Sequence, residues 1–238
     1  MADAAGKTAK GEQTRALILE TAVELFLERG YEETTMRAIA ERAGVALGSA
    51  YYYFRSKEQL IQGFYSRTHQ EHVAAAEPVL RDERTLRGRL MGVMAAKLRT
   101  IEPYHRFSGV LFRTAADPES PLNPFSAESV PARLEATEIF AEVVRGSEDR
   151  KMPRDLEAEL PDLLWMYHMG IVLFWIHDRS PGRARTWTLM ERTVDLVARL
   201  ISISTLPLMG PLRKSVLRLV ADLRIPASDE AAAPAPVS

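Results

Sequence analysis

Apolar residues recur every three or four positions along most of this chain, with polar residues between them, and this spacing predicts an all-α protein. The first helix is predicted from about Glu12 to Arg29, because Gly30 can supply the left-handed residue that commonly ends a helix. Its buried stripe comprises Ile18, Ala22, Leu25 and Phe26. The small and polar residues 1–11 are expected to form a disordered arm.

Two short helices and the start of a longer one are predicted within TTMRAIAERAGVALGSAYYYFRSKEQL, which begins at Thr34. Thr35 is a suitable N-cap for the first short helix, and Gly44 permits the tight turn after it. The second short helix is predicted from about Leu47 to Phe54. Ser56 then opens the longer helix with a capping-box pattern. Two short helices joined by a tight turn are typical of the helix-turn-helix motif.

The second short helix carries three adjacent tyrosines, Tyr51 to Tyr53, which are too many for one buried face. Tyrosine rings and hydroxyl groups suit contact with thymine methyl groups and phosphate oxygens. Lys57 lies in the first turn of the next helix, where the helix dipole disfavours a cation unless a phosphate is near. These features indicate a DNA-binding surface. The alternative, a three-helix core without a DNA partner, is supported by the nine basic and nine acidic residues in positions 1–67.

Residues 17–64 resemble the N-terminal DNA-binding domain of the TetR family of bacterial transcription regulators, nearly throughout AVELFLERGYEETTMRAIAERAGVALGSAYYYFRSKEQL. The resemblance implies that Thr35 and Arg37 touch DNA and that Ser49 and its neighbours face bases. It also implies that Tyr51 to Tyr53 touch the DNA backbone or methyl groups and that Lys57 holds a phosphate. The residues implied to bind DNA are Thr35, Arg37, Leu47, Gly48, Ser49, Tyr51, Tyr52, Tyr53 and Lys57. One departure is Ala46, which stands where the family usually has a Ser or Thr cap. The recognition helix therefore lacks a side-chain cap, at a cost of about 1 kcal/mol.

Further helices are predicted over residues 57–77, 82–101, 103–116, 132–144, 183–204 and 212–225. Pro78 is expected to end or kink the first of them, and residues 117–131 to form a proline-rich surface loop. His69 and His72 are three residues apart on the 57–77 helix. Because a metal site needs further ligands, a solvent-facing pair is the expected arrangement.

The most apolar part of the chain is LLWMYHMGIVLFWI, residues 163–176, which is too apolar to have a solvent face. The predicted 183–204 helix also has two apolar rows. One row comprises Leu189, Leu196, Leu200 and Ile203, and the other comprises Met190, Val194, Val197 and Ile201. We expect one row to face the core and the second row, from Met190 to Ile201, to form a homodimer interface. The alternative is one large monomeric core.

A small-molecule site is predicted in the same part of the chain, because aromatic side chains there are interleaved with a few polar ones. The candidate ligand-binding residues are His105, Phe112, Arg113, Trp165, His168, Met169 and Trp175. The competing interpretations are an ordinary half-exposed helix around His105 and a hydrogen-bonded core histidine at position 168.

The net charge of the 238 residues is −1, so DNA binding must come from a local patch. The absence of cysteine excludes disulfides and thiolate metal sites, and it is consistent with a reducing cytoplasm. The sequence contains no phosphate-binding loop, nucleophile motif or zinc-ligand cluster, so no enzymatic activity, cofactor or metal is expected. Because the chain lacks a signal peptide and a run of ~20 apolar residues, we expect a cytoplasmic protein without a membrane partner.

The sequence therefore predicts a two-domain, all-α homodimer. Residues 12–56 would form the helix-turn-helix DNA-binding domain and residues 57–225 a helical bundle for ligand binding and dimerisation, with a disordered tail over residues 226–238. Its partners would be a palindromic double-stranded DNA operator and a small apolar effector that releases a repressor from that operator. The alternative function is a helical protein-interaction module that does not bind DNA.

Overall fold

The computed structural model describes residues 2–120, 122–126, 129–149 and 151–222, with side chains from Lys10 onward. These residues form helices and no strands, as the sequence predicts. The helices are α1 (Ala2–Arg29), α2 (Met36–Arg42), α3 (Leu47–Tyr53), α4 (Lys57–Asp82), α5 (Leu86–Ile101), α6 (His105–Ala116), α7 (Val130–Arg145), α8 (Arg154–His177), α9 (Ala184–Ser204) and α10 (Gly210–Asp222).

Helix α1 begins at Ala2, earlier than the predicted start at Glu12, so the expected disordered arm is helical from its second residue. The arm contains four alanines and no proline, and alanine has the highest helix propensity of the amino acids. The predicted end at Arg29 is confirmed, because Gly30 follows with a φ of 89°. The predicted disordered tail, residues 226–238, lies outside the described residues.

The first hydrophobic core lies among α1, α2, α3 and the beginning of α4, and we call this part, through Phe64, the head. Its buried side chains include Ile18, Ala22, Leu25, Phe26, Ile39, Ala50, Phe54, Leu60, Ile61 and Phe64. The same core continues into α6, where Phe107 and Leu111 are buried against it. The head is therefore attached to the rest of the molecule, which we call the body, through α6 as well as through α4.

The prediction that Pro78 ends or kinks the fourth helix is wrong, because α4 continues to Asp82 with Pro78 inside it. Proline removes one intrahelical hydrogen bond, and tertiary packing of the next turn offsets that loss. Val79 packs against α5 at Gly92, where a Cβ atom would overlap the valine side chain. The buried guanidinium of Arg89 donates hydrogen bonds to the carbonyl oxygens of Leu80 and Glu83 at 2.5 and 2.8 Å.

The second core lies among α5, α7, α8 and α9 in the body. Its buried side chains include Leu90, Val93, Met94, Phe140, Val143, Leu164, Trp165, Ile171, Trp175, Met190 and Val194. Over the stretch that the structure covers, no single helix is long and apolar enough to cross a membrane. The helical segments Pro181–Ser204 and Pro207–Asp222 reach that length and apolar character only when they are counted together, and the chain bends by 90° between them.

Candidate nucleic-acid interface

The turn between α2 and α3 is set by local interactions that the sequence predicts. The Thr35 hydroxyl accepts a hydrogen bond from the Ala38 N–H at 3.1 Å and caps α2. Gly44 adopts a φ of 66°, which lets the chain reverse. Val45 is partly buried against the head core, and its N–H donates to the Ala40 carbonyl at 3.0 Å. The two helices are thus held at a defined angle.

Helix α3 rests on the head through one face and exposes the other. Ala50 is 0% exposed, and Phe54, the residue directly after the helix, is 1% exposed. Tyr52 is 81% exposed and Tyr51 is 48% exposed, so both rings are available to a partner. Tyr53 is half-buried, and its ring meets Tyr52 edge-on with centroids 5.1 Å apart. Tyr53 therefore supports Tyr52.

The other residues predicted to bind DNA differ in exposure. Thr35, Arg37 and Gly48 are exposed, whereas Ser49 is half-buried and Leu47 packs partly into the head core. Ala46 precedes α3 without a side-chain hydrogen bond to the helix, as its methyl side chain requires.

Lys57 is occupied by contacts within the head. Its ammonium group donates to the Tyr31 carbonyl at 2.8 Å and lies 4.3 Å from the centroid of the Tyr31 ring. The Tyr31 hydroxyl in turn donates to the Glu58 carboxylate at 2.7 Å. Burial, together with the bond to Glu58, raises the pKa of Tyr31. Lys57 thus joins the turn after α1 to the start of α4, and its contact with a phosphate stays a prediction.

Of the four basic residues between positions 37 and 57, two are engaged internally. Arg42 forms a two-pronged ion pair with Glu28 of α1, at 3.0 and 3.2 Å, and Lys57 is bonded as described. Arg37 and Arg55 are exposed. Arg55 was missed among the predicted site residues, although its position directly after the tyrosines and Phe54 was a signal that could have identified it.

The beginning of α1 lies beside α3, which sequence reasoning also missed. A Cβ atom added to Gly11 would be 3.5 Å from the Tyr53 hydroxyl, and the Arg15 guanidinium lies 4.8 Å from the centroid of the Phe54 ring. The exposed Lys10 therefore lies close to the recognition helix.

The predicted ligand-binding residues differ in burial and in the contacts they make. His105 Nε2 donates to the Trp175 carbonyl at 2.8 Å, and Trp175 Nε1 donates to the Glu102 carboxylate at 2.9 Å. His105 and Trp175 therefore join α6 to α8. Trp165 is buried with Phe125 against its ring. Phe112, Arg113 and Met169 are exposed on the surface.

His168 lies in the interior of the body, 5% exposed and 6.3 Å from His72 between ring centroids. The prediction that His69 and His72 face solvent is wrong for His72, which is 3% exposed and donates through Nε2 to the Val93 carbonyl at 2.9 Å. Burial, together with the charge of Lys97, lowers the pKa of His72 to about 4. Among the described residues, no group of three or more His, Asp or Glu side chains is arranged to hold a metal ion.

The row that the sequence predicts for the dimer interface is instead buried inside the single chain. Met190, Val194 and Ile201 are 1%, 0% and 7% exposed and belong to the body core, with Val197 packed partly against it. In the other row, Leu196, Leu200 and Ile203 are exposed, whereas Leu189 packs partly against the body core. Large apolar side chains are exposed on three helices, α8, α9 and α10. They are Met166, Met169, Leu173, Phe174, Leu196, Leu200, Ile203, Leu212, Val216 and Leu219.

Comparison with known proteins shows that the head and the body each match a family model. Residues 18–63 match the family model for bacterial regulatory proteins of the tetR family, and residues 89–221 match the model for the tetracyclin repressor-like C-terminal domain. The second match alone covers more than half of the chain.

Among curated proteins, the HTH-type transcriptional regulator TtgR of Pseudomonas putida is 40% identical over 63 residues, which are 26% of this chain and 30% of the relative. The HTH-type transcriptional repressor KstR2 of Mycobacterium tuberculosis is 35% identical over 99 residues, 38% of this chain and 46% of the relative. The matches thus span less than half the length of either relative.

Two crystal structures share the fold. The TetR transcriptional regulator from Nitrosomonas europaea has a TM-score of 0.61 at 19% identity, over 77% of this chain and 97% of that one. A TetR-family regulator from Mesorhizobium loti has a TM-score of 0.58 at 16% identity, over 80% and 97%. With a helix-turn-helix head and a helical body that both match, the chain belongs to the TetR family of bacterial transcriptional regulators.

Proposed function

We propose that this protein is a homodimeric repressor that binds a palindromic DNA operator in the cytoplasm and releases it when a small molecule enters the body. Residues 12–56 form the DNA-binding domain in this proposal, and residues 57–225 form the ligand-binding and dimerisation domain. The observation that carries it is the exposure of Tyr51 and Tyr52 on α3, whose opposite face is anchored by Ala50 and Phe54. A buried anchor under an exposed aromatic pair supports insertion of α3 into a major groove.

The exposed apolar face on α8, α9 and α10 supports dimerisation. Leu196, Leu200 and Ile203 recur at helical spacing on α9, and each is about half exposed in the single chain. Contiguous apolar surface of this kind is uncommon on a monomer and marks an interface. A two-fold dimer through this face would present two copies of α3, and a spacing of about 34–36 Å between them would match one turn of B-DNA.

The links between body and head support a ligand response. Phe107 of α6 stacks on Phe26 of α1 at 5.3 Å, and His105 on the same helix is bonded to α8 through Trp175. A ligand that changes the packing of α6 or α8 could therefore alter the orientation of the head. A near-complete switch requires the ligand to prefer one arrangement by ~5 kcal/mol. Repression is supported by the relative KstR2, which is an HTH-type transcriptional repressor.

Selection of bound duplexes from a random pool tests the proposal. The expected product is a palindrome or near-palindrome whose half-sites lie one helical turn apart. Titration of the selected duplex at increasing salt should show a log–log loss of affinity that reflects several phosphate contacts. Failure to enrich any duplex, or binding that is independent of salt, would instead favour a helical protein-interaction module.

A further inference from the structure

Four basic side chains converge in the body, and we call His69, His72, Lys97 and His168 the basic cluster. They come from α4, α5 and α8. The rings of His72 and His168 are 14° from parallel, with centroids 6.3 Å apart, and both are at least 95% buried. Lys97 and His69 are half-buried, so these two members of the cluster lie nearest the surface. The charge of Lys97 acts on all three imidazoles, which places its ammonium group near them.

The hydrogen bonding of the cluster is incomplete. His72 Nε2 must carry a proton, because the Val93 carbonyl to which it is bonded can only accept. His168 Nδ1 is fully buried and has no hydrogen-bond partner among the residues described. Buried polar atoms without a partner are rare in native proteins, and each one calls for an explanation such as a group that binds there.

The charge of the cluster is also unbalanced. Glu71 on α4 and Glu135 on α7 are the carboxylates that act on Lys97 and His69, and both are exposed on the surface. Burial lowers the pKa of Lys97 to about 8, against the opposing effect of Glu71. Burial and the neighbouring charge of Lys97 hold the pKa of His168 well below its usual value. At neutral pH the cluster therefore holds one ammonium ion and neutral imidazoles.

We propose that the basic cluster binds the carboxylate of an amphipathic ligand, with Lys97 and His168 donating hydrogen bonds to it. This inference rests on the proposed function, since it names the chemical class of the effector. The rest of such a ligand would be apolar, because Phe140 lies 5.4 Å from His168 between ring centroids and Trp165 is buried nearby on α8. A neutral apolar molecule would leave His168 Nδ1 and Lys97 unpartnered.

Binding of a carboxylate should be coupled to proton uptake. In this proposal His168 carries its proton on Nε2 before the ligand binds. The anion then stabilises the charged form of His168, so a proton from solvent adds to Nδ1 and the new N–H donates a hydrogen bond to the ligand carboxylate. Linkage then requires the affinity to rise as pH falls, by up to about tenfold per pH unit for one proton. The groups that set this dependence are His69, Glu71 and His72 on α4, Lys97 on α5, Glu135 on α7 and His168 on α8.

Calorimetry on the full chain can test the inference with matched probe pairs, decanoate against decanol and naphthoate against naphthalenemethanol. The carboxylates should bind at least about tenfold more tightly than their alcohols, the difference that one charge-assisted hydrogen bond supplies. Titrations in two buffers of different ionisation enthalpy should reveal uptake of close to one proton. Equal affinity within both pairs, binding without proton uptake, or no carboxylate binding would overturn the inference.

Two substitutions locate the site. Lys97→Met should weaken carboxylate binding about tenfold and leave alcohol binding unchanged, whereas the exposed control Lys151→Met should change neither. His168→Phe should abolish proton uptake while it preserves ring packing on Phe140. Carboxylate affinity that survives Lys97→Met would contradict the assignment. Thermal unfolding checks that each variant folds, and the proton uptake of the unmodified protein gives a test that needs no variant.

Operator binding separates this inference from the proposed function. If carboxylates bind through the cluster and the selected duplex stays bound, the ligand-responsive repressor is contradicted and the carboxylate site stands. If only the neutral probes release the duplex, the response stands and the carboxylate site is rejected.

Discussion

The ring of Phe107 in α6 stacks on the ring of Phe26 in α1, with centroids 5.3 Å apart and planes 14° from parallel. Phe107 also meets Phe64 of α4 edge-on at 5.6 Å. Phe107 thus extends the core of the head into the body. Because His105 lies half a turn earlier on the same helix and bonds to α8, α6 forms a direct physical connection between body and head.

Phe107→Ala should lower the free energy of unfolding by about 3–4 kcal/mol, because it removes a fully buried aromatic ring and leaves a cavity. Urea denaturation measures this change. The control is Phe112→Ala on the same helix, which is 36% exposed and should cost less than about 1 kcal/mol. Equal losses in the two variants would show that Phe107 does not stabilise the head core more than an exposed phenylalanine does.

Tyr52→Ala should weaken binding to all duplexes alike by about 1 kcal/mol, the net value of one hydrogen bond from the hydroxyl group to a phosphate. Tyr52 is exposed on α3, so the change should not disturb the head core. Fluorescence anisotropy with the selected operator and an unrelated duplex measures the loss. Tyr52→Phe serves as the matched variant, because it keeps the ring and removes only the hydroxyl group. Unchanged affinity in Tyr52→Ala, with folding intact, would exclude this surface from the interface.

Leu200→Glu should dissociate the dimer, because a carboxylate would be buried in the apolar face of α9. A penalty on the order of 3 kcal/mol raises the dissociation constant about 150-fold. Sedimentation equilibrium measures it. Leu134→Glu is the control, since Leu134 is 64% exposed on α7 and lies outside the proposed face. Val194→Ala should instead reduce stability without this change in assembly, because Val194 is buried within the single chain.

Acidification should destabilise the fold through His72. Its pKa is lowered from 6.5 to about 4 in the folded protein, so the unfolded chain binds more protons between these two values. Stability therefore rises with pH across that window and is lost as pH falls through it, by on the order of 2–3 kcal/mol. Denaturant titrations at pH 4.5 and 6.5 measure the difference.

His72→Gln should reduce this pH dependence while it keeps an N–H donor for the Val93 carbonyl. Part of the dependence should remain, because the pKa of His168 is also held well below its usual value. A pH dependence of the same size in His72→Gln as in the unmodified protein would place its origin elsewhere, with His168 as the next group to substitute.

Features that depend on a few consecutive residues were predictable. The cap by Thr35, the reversals at Gly30 and Gly44 and the uncapped start of α3 after Ala46 agree with the sequence-based predictions. Caps and turns depend on hydrogen bonds and backbone angles within about four residues, so their causes are present in the local sequence.

Burial could not be decided in the same way. The two rows of α9 are almost equally apolar, and the row containing Val194 is buried because α5 and α8 pack on that side. His72 lies on a helix face that looked polar, yet α5 covers it and Val93 accepts its hydrogen bond. Pro78 stays within α4 because Gly92 on the next helix admits Val79. Each outcome depends on a side chain from a distant part of the chain, and periodicity along one helix carries no information about that partner.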